Sequence, residues 1–205
     1  MITLYGVPGS RAYRTIWMLE EIGVPYENVP THFATGDTKK PDYLKLNPNG
    51  HIPTIVDDGM PIWESMAINL YLAKKYDKGL QPKSIEGEAH AIQWSFWAMT
   101  EVENPLIEVL MHRMFLPADQ RDAKVADAAI AKLQGPFGVL DRHLAGRKHV
   151  LGDQYSVADV NLASVLSWAP LVGIDLSGFP ALGKWLTECS ARPAAQKATA
   201  KAMAQ

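Results

Sequence analysis

The residues of this chain that are best suited to chemistry lie in one segment, from residue 47 to residue 72. There Ile52-Pro53 opens a predicted strand, and Glu64 and Ser65 stand where a helix is predicted to begin. A strand with proline at its second position cannot be central without losing a ladder hydrogen bond, so we expect the backbone near Ile52 to lie at a sheet edge. A helix N-terminus favours anions. An edge backbone beside it suits an anionic peptide.

The elements that must position these groups are signalled within the same segment. Asn47-Pro48-Asn49-Gly50 is turn chemistry, and residues 52–56 predict a strand. Asp57-Asp58-Gly59 predicts a hairpin that leads into a second strand at residues 61–63. The helix that follows is predicted to take Ser65 as its N-cap, because a serine oxygen can accept a hydrogen bond from an unpaired backbone N–H.

The segment before residue 30 predicts a strand, a helix and a second strand. Residues 2–5 form a short apolar strand, a Gly-Pro loop follows, and a helix begins at Ser10. Gly23 is predicted to end that helix, and residues 26–29 are predicted to form the second strand. This order makes a parallel pair with a right-handed crossover. With the hairpin and helix downstream, the arrangement is β-α-β followed by β-β-α.

Strand signals nearly vanish in the second half of the chain. Helices are predicted over residues 88–114 with a break at Pro105, over residues 119–144, and over residues 156–168. The Ala-rich stretch at residues 194–205 is either a final helix or a frayed tail. The expected domains are an α/β domain at residues 1–77, a linker at residues 78–87 and an all-α domain at residues 88–205.

A capping box is predicted at the start of the helix that follows residue 155. Ser156 and Asp159 have the spacing at which each side chain bonds the other residue's backbone N–H. Tyr155 and Val160 stand at the two positions of a hydrophobic staple. We expect this motif to be structural rather than chemical.

Composition and charge exclude several classes of function. The chain has 205 residues, 47% of them hydrophobic, and a net charge of −2, which offers no electrostatic footprint for nucleic acid. It shows no signal-peptide pattern and no apolar stretch of membrane-spanning length, so we expect a cytoplasmic protein. The single cysteine, Cys189, excludes an intramolecular disulfide and is expected to be a buried or incidental thiol rather than a nucleophile. The histidines lack the spacing of metal ligands, so no metal is expected.

The order of turn, Ile-Pro, strand, hairpin, Trp-Glu-Ser and helix from Asn47 to Leu72 resembles the glutathione-binding half-site of cytosolic glutathione transferases. The stretch from Gly152 to Asp159 resembles the N-capping box of the same family. The resemblance implies a thioredoxin-like N-terminal domain, an all-α C-terminal domain and a cis bond at Ile52-Pro53. It also implies glutathione as the co-substrate, an electrophile pocket contributed by the helical domain, and a homodimer.

Ser10 is the residue to which the resemblance assigns the chemistry. Pro8-Gly9-Ser10 followed by Arg14 resembles the serine-type classes of the family, such as the delta and phi transferases. Only the thiolate of glutathione attacks an electrophile, and a serine hydroxyl can donate a hydrogen bond to it. The alternative is that Ser10 only caps the helix. Tyr5 and Tyr13 are rival donors, since other classes use a tyrosine near the end of the first strand.

The other candidate site residues are matched to the functional groups of glutathione. Its γ-glutamyl end carries a carboxylate and an ammonium, and Ser65 and Glu64 offer one complement to each. The resemblance implies that Ile52 pairs its backbone with the cysteinyl unit, which requires Pro53 to be cis. His51 either bonds the glycyl end or is an exposed turn histidine.

One departure from the serine-type pattern concerns the glycyl carboxylate. These classes have a histidine upstream for that group, and the corresponding position here is Thr38. Lys39 or Lys40 would then supply the positive charge, unless the two lysines are only a solvated loop pair.

The function expected from these residues is the conjugation of glutathione to small hydrophobic electrophiles, a detoxification chemistry. One alternative is another glutathione-dependent activity on the same scaffold, such as a peroxidase, an isomerase or a dehalogenase. The other is a non-catalytic binding or scaffold protein, because a fold alone does not establish an activity.

Overall fold

Residues 1–204 of the chain are described by a computed structural model, and they divide into two units. The first unit contains residues 1–82 and 191–204, and the second contains residues 83–190. No helix among the described residues is long and apolar enough to span a membrane.

The first unit is built on a four-stranded mixed sheet. Its strands are β1 (Ile2–Tyr5), β2 (Tyr26–Val29), β3 (Thr54–Asp57) and β4 (Met60–Trp63). Their order across the sheet is β2-β1-β3-β4, with β1 parallel to β2 and antiparallel to β3. The predicted parallel pair is confirmed. The predicted hairpin is also confirmed, because Asp58 and Gly59 turn with positive φ angles of 50° and 84° between β3 and β4.

The α-helices of the described chain are α1 (Ala12–Ile22), α2 (Pro41–Leu46), α3 (Ser65–Tyr76), α4 (Ile85–Trp97), α5 (Asn104–Leu110), α6 (Ala123–Leu144), α7 (Val157–Leu166), α8 (Trp168–Leu171), α9 (Pro180–Ser190) and α10 (Pro193–Met203). The helices α1, α2, α3 and α10 belong to the first unit, and the helices from α4 to α9 belong to the second. The all-α character predicted for the second half of the chain is thereby confirmed.

The strand β3, which follows Ile52-Pro53, is central in the sheet, so the expectation that the backbone near Ile52 lies at a sheet edge is wrong for this strand. β3 pairs on one side with β1 and on the other with β4. The ladder begins at Thr54, which pairs with Tyr5 and with Trp63. Pro53 lies just before the strand, so its missing N–H removes no ladder hydrogen bond.

The helix α1 begins two residues later than the sequence predicts. The Ser10 side chain accepts a hydrogen bond from the Ala12 backbone N–H at 3.1 Å, so Ser10 lies just outside the helix. Gly23 ends the helix as predicted, with a φ of 65° and its N–H bonded to the Leu19 carbonyl at 3.0 Å. Trp17 lies at the centre of this helix and is fully buried.

The second unit contains one continuous helical run across the break predicted at Pro105, so that prediction is wrong. The helices α4 and α5 are joined by a π-helical segment, Ala98–Glu103. In a regular α-helix the proline ring clashes with the carbonyl four residues earlier. The wider π turn just before Pro105 accommodates the ring, and the helix continues.

The capping box at the start of α7 is confirmed. The Ser156 oxygen accepts a backbone hydrogen bond, and the Asp159 carboxylate accepts one from the Ser156 N–H at 2.9 Å. Asp159 is fully buried. Its second oxygen accepts from the Trp185 indole N–H and from the Val150 N–H, each at 2.9 Å. One carboxylate therefore joins the first turn of α7 to α9 and to the preceding loop.

The Ala-rich end of the chain is a helix that packs with the first unit, although the sequence analysis assigned these residues to the all-α domain. Arg192 donates two hydrogen bonds of 2.7 Å to the Glu21 carboxylate on α1. Lys201 donates one of 2.5 Å to Glu20. These side-chain pairs connect α10 to α1, although the paired residues are 171 or more positions apart in the sequence.

We expect Arg192→Ala to loosen α10. The Glu21 carboxylate is only 5% exposed, so removal of the guanidinium leaves a charge with little access to water. The expected loss in the free energy of unfolding is about 2 kcal/mol, and hydrogen exchange of the α10 amides should accelerate. Lys184→Ala is the matched control, because Lys184 faces Glu188 at 3.9 Å with both side chains largely exposed. Equal exchange rates in the two variants would contradict the prediction.

Candidate functional site

The Ser10 hydroxyl stands at the end of the loop that connects β1 to α1. Its oxygen caps the first turn of α1 through the Ala12 N–H, and its proton is donated to the Val7 carbonyl at 2.6 Å. A hydroxyl has one proton and two lone pairs. Rotation about the C–O bond can therefore redirect the proton to an anion while the oxygen keeps its bond to the Ala12 N–H. The capping role and the donor role are compatible.

Gly6 brings the Ser10 loop close to the Ile52-Pro53 pair. A Cβ atom placed on Gly6 would lie 2.7 Å from the Cβ of Ala12 and 3.7 Å from the Cβ of Ile52. Only glycine fits such a close approach without displacement of the backbone. The start of α1 and the residue that precedes Pro53 are thus neighbours in the structure.

The Ile52-Pro53 bond is cis, as the resemblance implies. The Ile52 side chain packs in a small cluster with Val7 and Tyr43, against which Tyr5 also packs. His51, one residue earlier, has an exposed side chain, and its backbone carbonyl accepts hydrogen bonds from inside the unit. Buried side chains of the first unit therefore fix the backbone at His51, whereas the His51 imidazole faces solvent.

Glu64 and Ser65 occupy the N-terminus of α3 in roles that differ from the prediction. Ser65 is the first helical residue, and Glu64 is the residue at the cap position, so the expectation that Ser65 is the N-cap is wrong. The reason is the backbone of Glu64, whose φ of 72° turns the chain sharply into the helix. The Glu64 side chain is exposed, whereas Ser65 is 4% exposed.

A buried cation lies beside the Ser65 hydroxyl. Arg14 is fully buried on α1, and its Nη1 donates a hydrogen bond of 3.4 Å to the Ser65 oxygen. The Asn69 side chain donates to the Arg14 carbonyl at 3.2 Å, which joins α3 to α1 at the same place. A guanidinium and a helix N-terminus both favour a carboxylate at this point. Sequence reasoning noted Arg14 only as part of a family pattern, because no local signal reveals that its charge is buried.

The two lysines near the predicted glycyl end are arranged differently. Lys39 donates to the Asn49 carbonyl at 3.4 Å, close to the residues before His51. Lys40 instead pairs with Asp37 at 2.6 Å, and this hydrogen bond keeps the pKa of the Asp37 carboxyl below its ordinary value. Thr38 is buried, with 1% exposure. Of these two lysines, Lys39 is therefore the one that contacts the Asn49–His51 turn.

The rival donors Tyr5 and Tyr13 are both engaged with other aromatic or polar groups. The Tyr5 ring packs edge to face on the Tyr43 ring, with the ring centres 6.1 Å apart. The Tyr13 hydroxyl is 3.1 Å from the Thr199 hydroxyl on α10. These contacts give each tyrosine a packing role and place the Tyr13 hydroxyl at α10.

Tyr43 is the site residue that the sequence analysis missed. It lies on α2, which was not predicted, because a helix of six residues is too short for an apolar repeat to appear. Its hydroxyl donates to the His51 carbonyl at 2.5 Å. Burial raises the pKa of this hydroxyl above its ordinary value, so it stays protonated as a donor.

The groups described so far belong to the first unit, and two pairs of neighbours connect them. Ser10 lies in the loop that Gly6 brings close to Ile52, and Ser65 lies beside Arg14 of α1. This part of the first unit offers a hydroxyl donor at Ser10, a buried guanidinium beside the Ser65 hydroxyl, and an exposed carboxylate at Glu64. Within residues 1–204 no group of three or more His, Cys, Asp or Glu side chains could hold a metal ion. Cys189 is buried, with 1% exposure, as the sequence analysis expected.

Comparison with known proteins connects this arrangement to a family. The family model described as glutathione S-transferase, N-terminal domain, matches residues 1–74. The model described as glutathione S-transferase, C-terminal domain, matches residues 103–193.

Similar proteins extend over nearly the whole chain. Glutathione S-transferase GstB of Escherichia coli (strain K12) is 33% identical, and the match covers 96% of this chain and 97% of that protein. Glutathione S-transferase 3 of Zea mays is 34% identical, with coverage of 97% and 93%. The solved theta class glutathione S-transferase of Xanthomonas axonopodis pv. citri, with glutathione bound, is 28% identical and has a TM-score of 0.90, with 96% of each chain covered. The predicted fold class is thus confirmed.

Proposed function

The chain belongs to the glutathione S-transferase family, and we propose that it conjugates the glutathione thiolate to small hydrophobic electrophiles, with Ser10 stabilising the thiolate. Glutathione transferase activity itself follows from relatives of that name that match nearly the whole chain. The observation that supports Ser10 is its hydroxyl, whose single proton can be redirected from the Val7 carbonyl at 2.6 Å while the oxygen still caps α1.

The energetics of thiolate stabilisation by one hydroxyl are adequate. A free thiol has a pKa near 8.5 and is mostly protonated at neutral pH. Each unit by which the pKa falls requires about 1.4 kcal/mol of preferential stabilisation of the thiolate. A hydrogen bond to a charged group contributes about 1.5–3 kcal/mol. The positive end of the α1 dipole adds a smaller term of the same sign.

The proposed binding mode assigns each end of glutathione to groups of opposite character. The γ-glutamyl carboxylate binds the Ser65 hydroxyl at the N-terminus of α3, with the buried Arg14 guanidinium behind it. The γ-glutamyl ammonium binds Glu64. The cysteinyl unit pairs with the Ile52 backbone before the cis Pro53, which brings the sulfur toward Ser10. His51 and Lys39 bind the glycyl carboxylate.

In the proposed reaction the glutathione thiol first releases its proton to solvent, and a lone pair of the resulting thiolate sulfur then forms a new bond to the electrophilic carbon. In a substitution the leaving group departs with the electron pair of its bond to that carbon, and in an addition the resulting carbanion takes a proton from solvent. The Ser10 hydroxyl donates a hydrogen bond to the thiolate sulfur before attack. Once the sulfur is neutral, the hydroxyl again donates to the Val7 carbonyl. The protein contributes positioning and a lowered thiol pKa.

Product analysis tests this function against its rivals. The protein is incubated with glutathione and either a nitro-activated aryl chloride or an organic hydroperoxide, and the products are identified by mass spectrometry. We expect an aryl conjugate of glutathione with release of chloride. Formation of glutathione disulfide from the hydroperoxide, without any conjugate, would favour a peroxidase. Glutathione binding without any product would favour a scaffold.

We further propose that the protein is a homodimer, and an apolar stripe on α4 supports this. Ile85, Ile92 and Phe96 are 74%, 44% and 68% exposed, and their spacing places them on one face of the helix. Phe96→Asp should convert the dimer to a monomer in size-exclusion chromatography with light scattering. His90→Asp places the same charge on a different exposed side of α4 and should leave the mass unchanged. A Phe96→Asp variant with dimeric mass would contradict the assignment of this face.

A further inference from the structure

The backbone carbonyl of His51 accepts hydrogen bonds from two buried side chains of the first unit. The Tyr43 hydroxyl donates to it at 2.5 Å, and the Asn47 Nδ2 donates to it at 2.9 Å. The orientation of the Asn47 amide is fixed by the Asn49 N–H, which donates to its Oδ1 at 3.1 Å. Tyr43 comes from α2 and Asn47 from the turn that follows it, so two consecutive elements converge on one carbonyl.

A third side chain links the two donors. The Thr54 hydroxyl is 2.9 Å from the Tyr43 hydroxyl and accepts from the Asn47 Nδ2 at 3.2 Å. The exposed fractions of Tyr43, Asn47 and Thr54 are 6%, 2% and 0%. Hydrogen bonds shielded from water in this way are stronger and reinforce one another. This group, the Tyr43–Asn47–Thr54 clamp, holds the peptide just before Ile52.

The clamp has a geometric consequence on the other side of the same peptide. The His51 carbonyl and the Ile52 N–H belong to one planar trans peptide group, in which the C=O and N–H bonds point in opposite directions. When the carbonyl is held toward Tyr43 and Asn47, the Ile52 N–H must point away from them. The clamp therefore sets the direction of a backbone donor that it does not touch.

We propose that Tyr43 and Asn47 are positioning residues for glutathione, because their grip on the His51 carbonyl aims the Ile52 N–H at the cysteinyl carbonyl of the tripeptide. This inference rests on the proposed function, in which Ile52 pairs with the cysteinyl unit. The proposed function does not require this role for Tyr43 and Asn47, because the packing of the Ile52 side chain could also orient the Ile52 N–H. Binding then depends on a buried tyrosine that does not contact the ligand.

The test is a comparison of glutathione kinetics and binding in Tyr43→Phe and wild type. Loss of the hydroxyl should raise the KM for glutathione and its dissociation constant by about tenfold, the effect of one hydrogen bond. The kcat at saturating glutathione should change by less than about twofold, because Ser10 is untouched. Thr54→Val keeps the Tyr43 ring and hydroxyl and should raise the KM by about threefold, through loss of the reinforcing bond.

Tyr71→Phe is the matched control. The Tyr71 hydroxyl donates to Asp57 at 3.1 Å in the same unit, and we assign it no part in glutathione binding. It should lower the melting temperature without any change in the KM for glutathione. If Tyr43→Phe and Thr54→Val lose thermal stability in the same way and keep the wild-type KM, the clamp is only structural and the proposal is overturned. If Tyr43→Phe does not fold, the KM of Thr54→Val for glutathione decides: a raised KM supports the proposal, and a wild-type KM overturns it.

A second arm changes the ligand. An ester analogue of glutathione, with oxygen in place of the Cys-Gly amide nitrogen, has a weaker acceptor at the cysteinyl carbonyl. The clamp predicts that this replacement weakens binding to wild type more than binding to Tyr43→Phe. Equal penalties in the two proteins would overturn the proposed direction of the Ile52 N–H. Failure of wild type to bind glutathione at all would instead refute the proposed function.

Discussion

Replacement of Ser10 by alanine should move the thiol pKa of bound glutathione back toward its value in free glutathione and lower kcat by about 10²-fold. That loss is the usual effect of removing one preorganised donor to a reacting anion. In the proposed mechanism wild type stabilises the thiolate, so its bound thiol should have a pKa below the free value near 8.5. The measurement is a pH titration of thiolate absorbance in the two complexes, beside kcat with an aryl chloride. The activity of wild type should persist at lower pH than that of the variant.

A matched control separates catalysis from helix capping. The Ser84 oxygen caps α4 by accepting from the Gly87 N–H at 3.1 Å, three residues on, whereas the Ser10 oxygen accepts from the Ala12 N–H two residues on; each serine hydroxyl thus binds a backbone N–H in the first turn of a helix. Ser84→Ala should cost about 1 kcal/mol of stability and leave the thiol pKa unchanged. If Ser10→Ala also leaves the thiol pKa unchanged, the donor is elsewhere, and Tyr5→Phe and Tyr13→Phe are the next variants to titrate.

Asp159→Ala should destabilise the second unit more than any surface substitution. Its carboxylate accepts hydrogen bonds from the backbone N–H groups of Val150 and Ser156, from the Ser156 hydroxyl at 3.1 Å and from the Trp185 indole. These donors are buried, and each one left without an acceptor costs about 1–3 kcal/mol. Partial access of water to the new cavity offsets some of that cost, so we expect a loss of about 3–5 kcal/mol. Urea denaturation followed by tryptophan fluorescence measures it.

Asp153→Ala is the control for this loss. Asp153 is an exposed carboxylate in the loop that leads into the same helix, so its removal changes the net charge equally. Its midpoint in urea should stay close to that of wild type. Comparable midpoints for the two variants would show that the carboxylate of Asp159 contributes no more than surface charge.

The parts of the structure that the sequence predicts are those whose signals are local. The hairpin at Asp58-Gly59, the helix end at Gly23 and the capping box at Ser156 each depend on the conformational preferences of a few adjacent residues. Those preferences hold in any fold that contains the segment. The strands β1 and β2 were predicted with their observed limits for the same reason.

The features that the sequence did not predict depend on partners that are distant in the chain. The central position of β3 is set by its pairing with β1, some fifty residues earlier, as in the pair Leu4 and Ile55. The burial of Arg14 depends on α3, and the place of α10 depends on Arg192 meeting Glu21, 171 residues away. Tyr43 was missed because α2 is short, and its partner carbonyl at His51 carries no side-chain signal.

The return of α10 to α1 has a consequence for the way the protein is made. The first unit draws on residues 1–82 and on residues 191–204, so the ribosome delivers its two parts at widely separated times. Until Arg192 and Lys201 have left the exit tunnel, Glu20 and Glu21 have no cations from α10 to meet. A nascent chain released after α9 would carry the Ser10 loop and the whole sheet without this bracing. The Ser10 loop is thus translated long before α10, whose cations pair with Glu20 and Glu21 of α1.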